Sequence, residues 1–138
     1  MPDRLGPRSE PIAVVRSFVD CINSGDVAGL GRLMAEDHVL EVFDEAPVAG
    51  RDANIAAWRG YADAFPRYRI VPHDISGDGG RVAVLGHTTG SHLGLTDEEE
   101  RRMTLIWLAD VVDGAVRSWT LVEDSSENRD RHGLPARP

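Results

Sequence analysis

The chain has 138 residues, 41% hydrophobic and 28% charged, with a formal net charge of −8. That balance fits one globular domain with a core of its own. It excludes a nucleic-acid surface, which needs clustered positive charge against phosphates. All 15 basic residues are Arg, which excludes chemistry that needs a Schiff-base lysine or a phosphate-loop lysine.

Residues 1–9 read as a flexible polar Pro/Gly tail, without the apolar core of a signal peptide. Ser9 is placed to cap a helix whose first turn holds Glu10 and Pro11. Ile12, Val15, Phe18, Val19 and Ile22 recur at helical spacing, and Gly25 ends the helix. Cys21, the one cysteine, falls among these apolar residues and reads as a small core side chain; no intrachain disulfide can form. Asp26 can cap a shorter second helix with Val27, Leu30, Leu33 and Met34 on one face, although Gly29 and Gly31 weaken it. Residues 38–43 read as a strand and residues 44–51 as a Pro/Gly loop. Asp52 can cap a third helix running through Phe65 and stopped by Pro66. Ile55, Trp58, Ala62 and Phe65 share one side of it, with Tyr61 just beside that stripe.

From Arg67 the periodicity turns to β. Strands are predicted over residues 67–76 and 81–93, separated by a glycine-rich turn at 77–80. An acidic loop at 94–100 follows. Residues 101–124 then form two β-rich runs around Asp113-Gly114, the strongest short-range hairpin signal. Alternation puts Thr120, Val122 and Asp124 on one face and Trp119, Leu121 and Glu123 on the other. A carboxylate that faces an apolar interior has a raised pKa and can exchange protons near neutrality; the plain alternative is a hairpin that ends in solvated acids. Residues 125–138 are polar, closing on Gly133-Leu134.

Helices at the front and antiparallel strands at the back indicate an α+β domain over residues 10–134. The expected architecture is a strongly curved, mostly antiparallel sheet wrapped around about three N-terminal helices. Gly86, Gly90 and Gly94, evenly spaced, are candidate bends. The five histidines lack metal-ligand spacing, and no apolar run is long enough to span a bilayer. The expectation is a soluble, cytoplasmic protein with no metal, no membrane partner and no nucleic-acid partner.

Several segments taken in order carry a resemblance: the early helix running into Asn23-Ser-Gly-Asp-Val27, Gly50-Arg-Asp52, Phe65-Pro66, Gly90-Ser-His-Leu-Gly94, Asp113-Gly114 with Trp119 to Asp124, and Gly133-Leu134. Over residues 11–134 the chain resembles the SnoaL-like polyketide cyclase family within the nuclear transport factor 2-like superfamily. The resemblance implies a cone-shaped α+β barrel with an enclosed ligand pocket and no cofactor. It also implies a general acid/base at Asp124, near the end of the last strand. The family's histidine in the preceding strand is replaced here by Trp107, and its polar loop becomes Thr96-Asp-Glu-Glu-Glu100. His92 either points into the pocket or caps the sheet edge; His87 and His38 are weaker candidates.

Two functional readings follow. In the first, Asp124 and His92 serve cofactor-free proton transfer on a small apolar or polyketide-like molecule, by cyclisation, isomerisation, dehydration or epoxide opening. Trp58, Tyr61, Phe65, Trp107, Phe43 and His38 then form the substrate-binding wall. In the second, the same fold binds a ligand without changing it, or serves as a dimerisation scaffold. A homodimer is expected, burying an outer sheet face that holds Thr104, Ile106 and Leu108 together with Trp119 and Leu121.

Overall fold

A computed structural model of the chain describes residues 10–136; the tail at 1–9 and the Ser9 cap lie outside the described residues. Helix α1 (Glu10–Ser24) buries Val15, Phe18, Val19 and Ile22 along one side. Gly25, at φ +70°, turns the chain, and the Asp26 side chain accepts from Gly29 N–H at 2.9 Å to start α2 (Val27–Leu33). The glycines that weaken this helix in the sequence stand where a Cβ would crowd neighbouring side chains, Asp26 and Cys21 at Gly29 and Ile55 at Gly31. A Cβ on Gly31 would stand 2.8 Å from the Ile55 side chain, so α2 lies close against α3 (Arg51–Ala64).

Six strands form one mixed sheet: β1 (Met34–Val42), β2 (Val48–Ala49), β3 (Arg69–Asp78), β4 (Arg81–Thr89), β5 (Leu105–Val112) and β6 (Ala115–Glu123), in the order β2-β1-β6-β5-β4-β3. Only β1 and β6 pair in parallel. The sheet is not closed; β2 and β3 are its edges. The α+β class with a mostly antiparallel sheet is as expected. Asp113 and Gly114 both take positive φ, 53° and 77°, as a two-residue hairpin turn requires. At β3 the register slips between Pro72 and Asp74, opposite Gly86. A Cβ on Gly86 would sit 2.3 Å from the Val71 carbonyl oxygen, so this glycine admits the bulge that bends the sheet edge.

Edge strand β3 is tied down by α1. Asn23 accepts from Ile70 N–H at 2.7 Å and donates to Ile70 C=O at 2.8 Å, pairing an edge residue as a neighbouring strand would. The inner face of the sheet packs on α1 through Val82, Val84, Trp107, Ala109, Val116 and Trp119. On the outer face, Ala83, Leu85 and Ile106 are covered by Leu134, with Leu108 and Val122 half-buried beside them.

Several boundaries differ from the sequence reading. The long strand ends at Thr89, because Gly90 takes φ +68° with its Cβ position pressed on the Arg67 carbonyl. The acidic loop contains helix α4 (Asp97–Arg101), closed by a capping box between Thr96 and Glu99. Asp52 does not cap the third helix: Gly50, at φ +97°, is its N-cap, the helix begins at Arg51, and Asp52 lies within the first turn. The polar C-terminal stretch holds α5 (Ser126–Arg131), capped by Ser125. Trp119 and Leu121 face inward, not on the outer face with Ile106 and Leu108. Among the described residues no helix is long and apolar enough to cross a membrane.

Candidate functional site

Between the inner face of the sheet and α3 lies a cavity of about 270 Å³. Trp58 and Tyr61 project from α3, Tyr68 from the turn before β3, and Trp107 and Trp119 from the sheet floor. These are all three tryptophans and both tyrosines of the chain. Leu40, Val42 and Leu121 complete the floor because β1 and β6 run in register, Leu40 beside Trp119 and Val42 beside Leu121. Glu45 and His92 are the ionisable non-aromatic-wall residues that reach the lining.

His92 is exposed, but it is held in place. The Tyr61 hydroxyl lies 2.9 Å from His92 Nδ1 and accepts from the His92 backbone N–H at 3.1 Å. With the backbone donor already on the hydroxyl oxygen, the hydroxyl proton is best placed on Nδ1, leaving the imidazole N–H on Nε2. Phe65, which follows α3, packs tilted against Tyr61 with ring centroids 4.8 Å apart and lies 6.1 Å from the His92 ring. The loop that carries His92 is anchored by Glu100, which is fully buried. Its carboxylate accepts from the Thr88 hydroxyl and from Ser91 N–H at 3.4 Å.

Burial pushes the Tyr61 hydroxyl above its ordinary range, outweighing the His92 contact that lowers it, and Glu100 adds to the rise. Tyr68 is pushed up further, by burial first and then by Tyr61 and Glu100. Both phenols therefore stay protonated at neutral pH. Trp58 Nε1 is buried with no hydrogen-bond partner among the described residues, a cost of about 1–3 kcal/mol for an orphaned donor.

The remaining sequence-derived candidates sit elsewhere. Asp124 follows β6 on the parity of Thr120 and Val122, opposite Trp119 and Leu121. It accepts from Arg129 Nε at 2.6 Å, from Arg129 Nη2 at 2.8 Å and from the Thr104 hydroxyl. Side-chain exposure is 2% for Asp124 and 10% for Arg129. Arg129 also donates to the Pro135 carbonyl at 3.1 Å, and its own carbonyl accepts from Leu134 N–H at 2.8 Å. The pair thus fastens the C-terminal segment across the end of β6. His38 lies deeper than Leu40 on the same strand face, fully buried beside Phe18, with Nδ1 2.7 Å from the Val116 carbonyl. Its Nε2 has no partner among the described residues. Phe43 is 55% exposed, because the chain turns away after Val42 with φ +42° at Phe43. Phe65 lines a neighbouring hollow rather than the cavity. That hollow is larger, about 340 Å³, but it is walled by Asn23, Ser24 and Arg69, and Asn23 and Arg69 are already bonded to each other or to Ile70. His87 pairs with His73 at 2.7 Å on the bulged edge. His132 closes α5.

Tyr68, Trp119 and Leu121 belong to the cavity; Tyr68 was not singled out from the sequence, and Trp119 and Leu121 were expected on the outer sheet face. Trp119 was within reach, since its parity with Leu121 was plain. Tyr68 stands in an irregular turn, where no periodicity assigns a direction. Among the described residues no group of three metal-ligating side chains forms.

The fold is shared with solved structures. A candidate polyketide cyclase from Sinorhizobium meliloti matches at 22% identity and TM-score 0.67, covering 80% of this chain and 94% of that one. Bal32a, from a soil-derived mobile gene cassette, matches at 19% identity and TM-score 0.71, covering 92% and 98%. An epoxide hydrolase of the LEH-like type from M. tuberculosis matches at 17% identity and TM-score 0.68, covering 84% of each chain. At these identities the likeness is one of fold. No curated protein matches the chain. The family model of the SnoaL-like domain spans residues 15–119, from the core side of α1 to the middle of β6, and the chain accordingly belongs to the SnoaL-like domain family.

Proposed function

We propose that this protein binds a small, mostly apolar molecule in the aromatic cavity. The observation that carries this reading is the convergence of every Trp and Tyr of the chain on one space of about 270 Å³, close to the lower end of small-molecule sites, about 300–1,000 Å³. Aromatic side chains give large contact area at low conformational cost. Tyr61, Tyr68 and His92 are few polar groups in an apolar wall, the arrangement that orients a ligand. A protein purified without added ligand and sprayed under native conditions is expected to carry, or to take up from a panel of small aromatic compounds, one molecule per chain. A panel that leaves the tryptophan emission unchanged throughout would remove the proposal.

A second reading is favoured by the Tyr61–His92 bond. A phenol and an imidazole joined at 2.9 Å beside an apolar cavity can move a proton on a carbonyl, alcohol or epoxide without a cofactor. The epoxide hydrolase among the structural neighbours is consistent with such chemistry on this fold. Asp124 is a poor acid/base in this account: it takes at least three donors and lies away from the cavity lining. We assign it to fastening the C-terminal segment. If the second reading holds, Tyr61→Phe and His92→Ala each lower turnover by about 10²-fold or more, the scale of general acid/base catalysis, while Asp124→Asn does not.

Two further parts of the proposal concern setting and assembly. The lone thiol of Cys21 suits the reducing cytoplasm. Half-buried Leu108 and Val122 on the outer sheet face suit a homodimer that would cover them.

A further inference from the structure

We propose that the cavity selects a lipophilic organic cation, an amine or quaternary ammonium borne on a small apolar body. The inference rests on the cavity being the binding site and names the class of molecule it takes. Trp58 and Tyr61 meet at 83° with centroids 6.3 Å apart and stand as adjoining walls of the cavity. Tyr68 packs edge-to-face with Tyr61, at 85° with centroids 4.9 Å apart, and Trp107 and Trp119 lie in the floor. A flat neutral ring gains most between parallel faces. A compact cation gains from every negative ring face that surrounds it, which is how aromatic cages hold quaternary ammonium groups.

The charges agree with the rings. Among the described residues that line the cavity, Glu45 is the one carboxylate, and no Arg is among them although the chain has 15 basic residues. His92 has its Nδ1 engaged by Tyr61. An anionic ligand would give up its hydration here with no cation to meet it. The net charge of −8 attracts a cation and repels an anion before contact.

The test compares phenyltrimethylammonium with tert-butylbenzene, which differ by one atom, N⁺ against C, and hardly in shape. Tryptophan emission of the full chain is titrated with each at fixed ionic strength. The ammonium is expected to bind at least tenfold more tightly, and Glu45→Gln is expected to narrow that gap several-fold. Equal or tighter binding of tert-butylbenzene overturns the cation inference and leaves the cavity standing as an apolar site. Absence of any saturable response to either compound overturns the binding site itself, and the inference with it.

Discussion

Arg129 and Asp124 show how a carboxylate in a promising position is consumed by structure. Two bonds from one guanidinium and one from Thr104 hold a side chain that is 2% exposed. Removing one partner of a buried pair leaves the other charged and desolvated, at a cost of about 3–5 kcal/mol. Arg129→Ala is therefore expected to lower the urea unfolding free energy by that amount. A loss below 1 kcal/mol would mean the pair is solvated and carries little. The hydrogen bond to Asp124 in turn raises the Arg129 pKa, so its charge is secure at any working pH. Alternation along β6 was legible in the sequence, and it put Asp124 opposite Trp119. Which of the two faces holds the cavity was not legible, because that depends on the parallel pairing of β1 with β6 and on the helices laid over it. The chain itself offers Ser125 as a cap and Arg129 one turn later, a local signal that Asp124 would be met by a cation.

At the scale of elements, two features are open to measurement. The capping box of α4 orders the segment whose Glu100 anchors the His92 loop. Thr96→Ala is expected to cost about 1 kcal/mol and to speed amide exchange over residues 97–101; unchanged exchange there would show that the cap does not hold the helix. The second feature is His38, whose pKa is lowered, chiefly by burial and against the bond to Val116 that raises it. The unfolded chain then binds protons that the folded chain refuses. Stability from this group is complete above the ordinary value of 6.5 and is lost as pH falls below it. His87 and His132 are lowered too, again by burial first, and act in the same sense. The urea midpoint is expected to fall from pH 7 to pH 5, and His38→Leu to flatten that slope. Coincident slopes for the two proteins would assign the acid sensitivity elsewhere. The Asp113-Gly114 hairpin was readable because its turn chemistry is local. Strand β2, two residues long, exists only through its pairing with β1 and left no periodic trace. The capping box was present as Thr96-x-x-Glu99 and was obscured by the run of acids that follows it.

The whole molecule is an open, curled sheet that spends its aromatic residues on one inner space and closes its back with its own C-terminal segment through Leu134. That segment covers part of the outer face, so a homodimer would form on what remains, around Leu108 and Val122. Light scattering at micromolar concentration is expected to give twice the 15.1 kDa of the chain; a monomer mass would confine the function to the single cavity. The most direct measurement is calorimetric titration with 1-naphthol, a neutral aromatic probe, of the natural chain, Leu121→Trp and Asp124→Asn, each verified as folded by circular dichroism. Leu121 lines the cavity from the inner face of β6 and is half-buried against the core, so a larger ring there takes up cavity space. The natural chain and Asp124→Asn should bind alike, and Leu121→Trp should bind at least tenfold more weakly. Unchanged binding in Leu121→Trp, or binding that disappears in folded Asp124→Asn, would contradict the assignment of the aromatic cavity as the site.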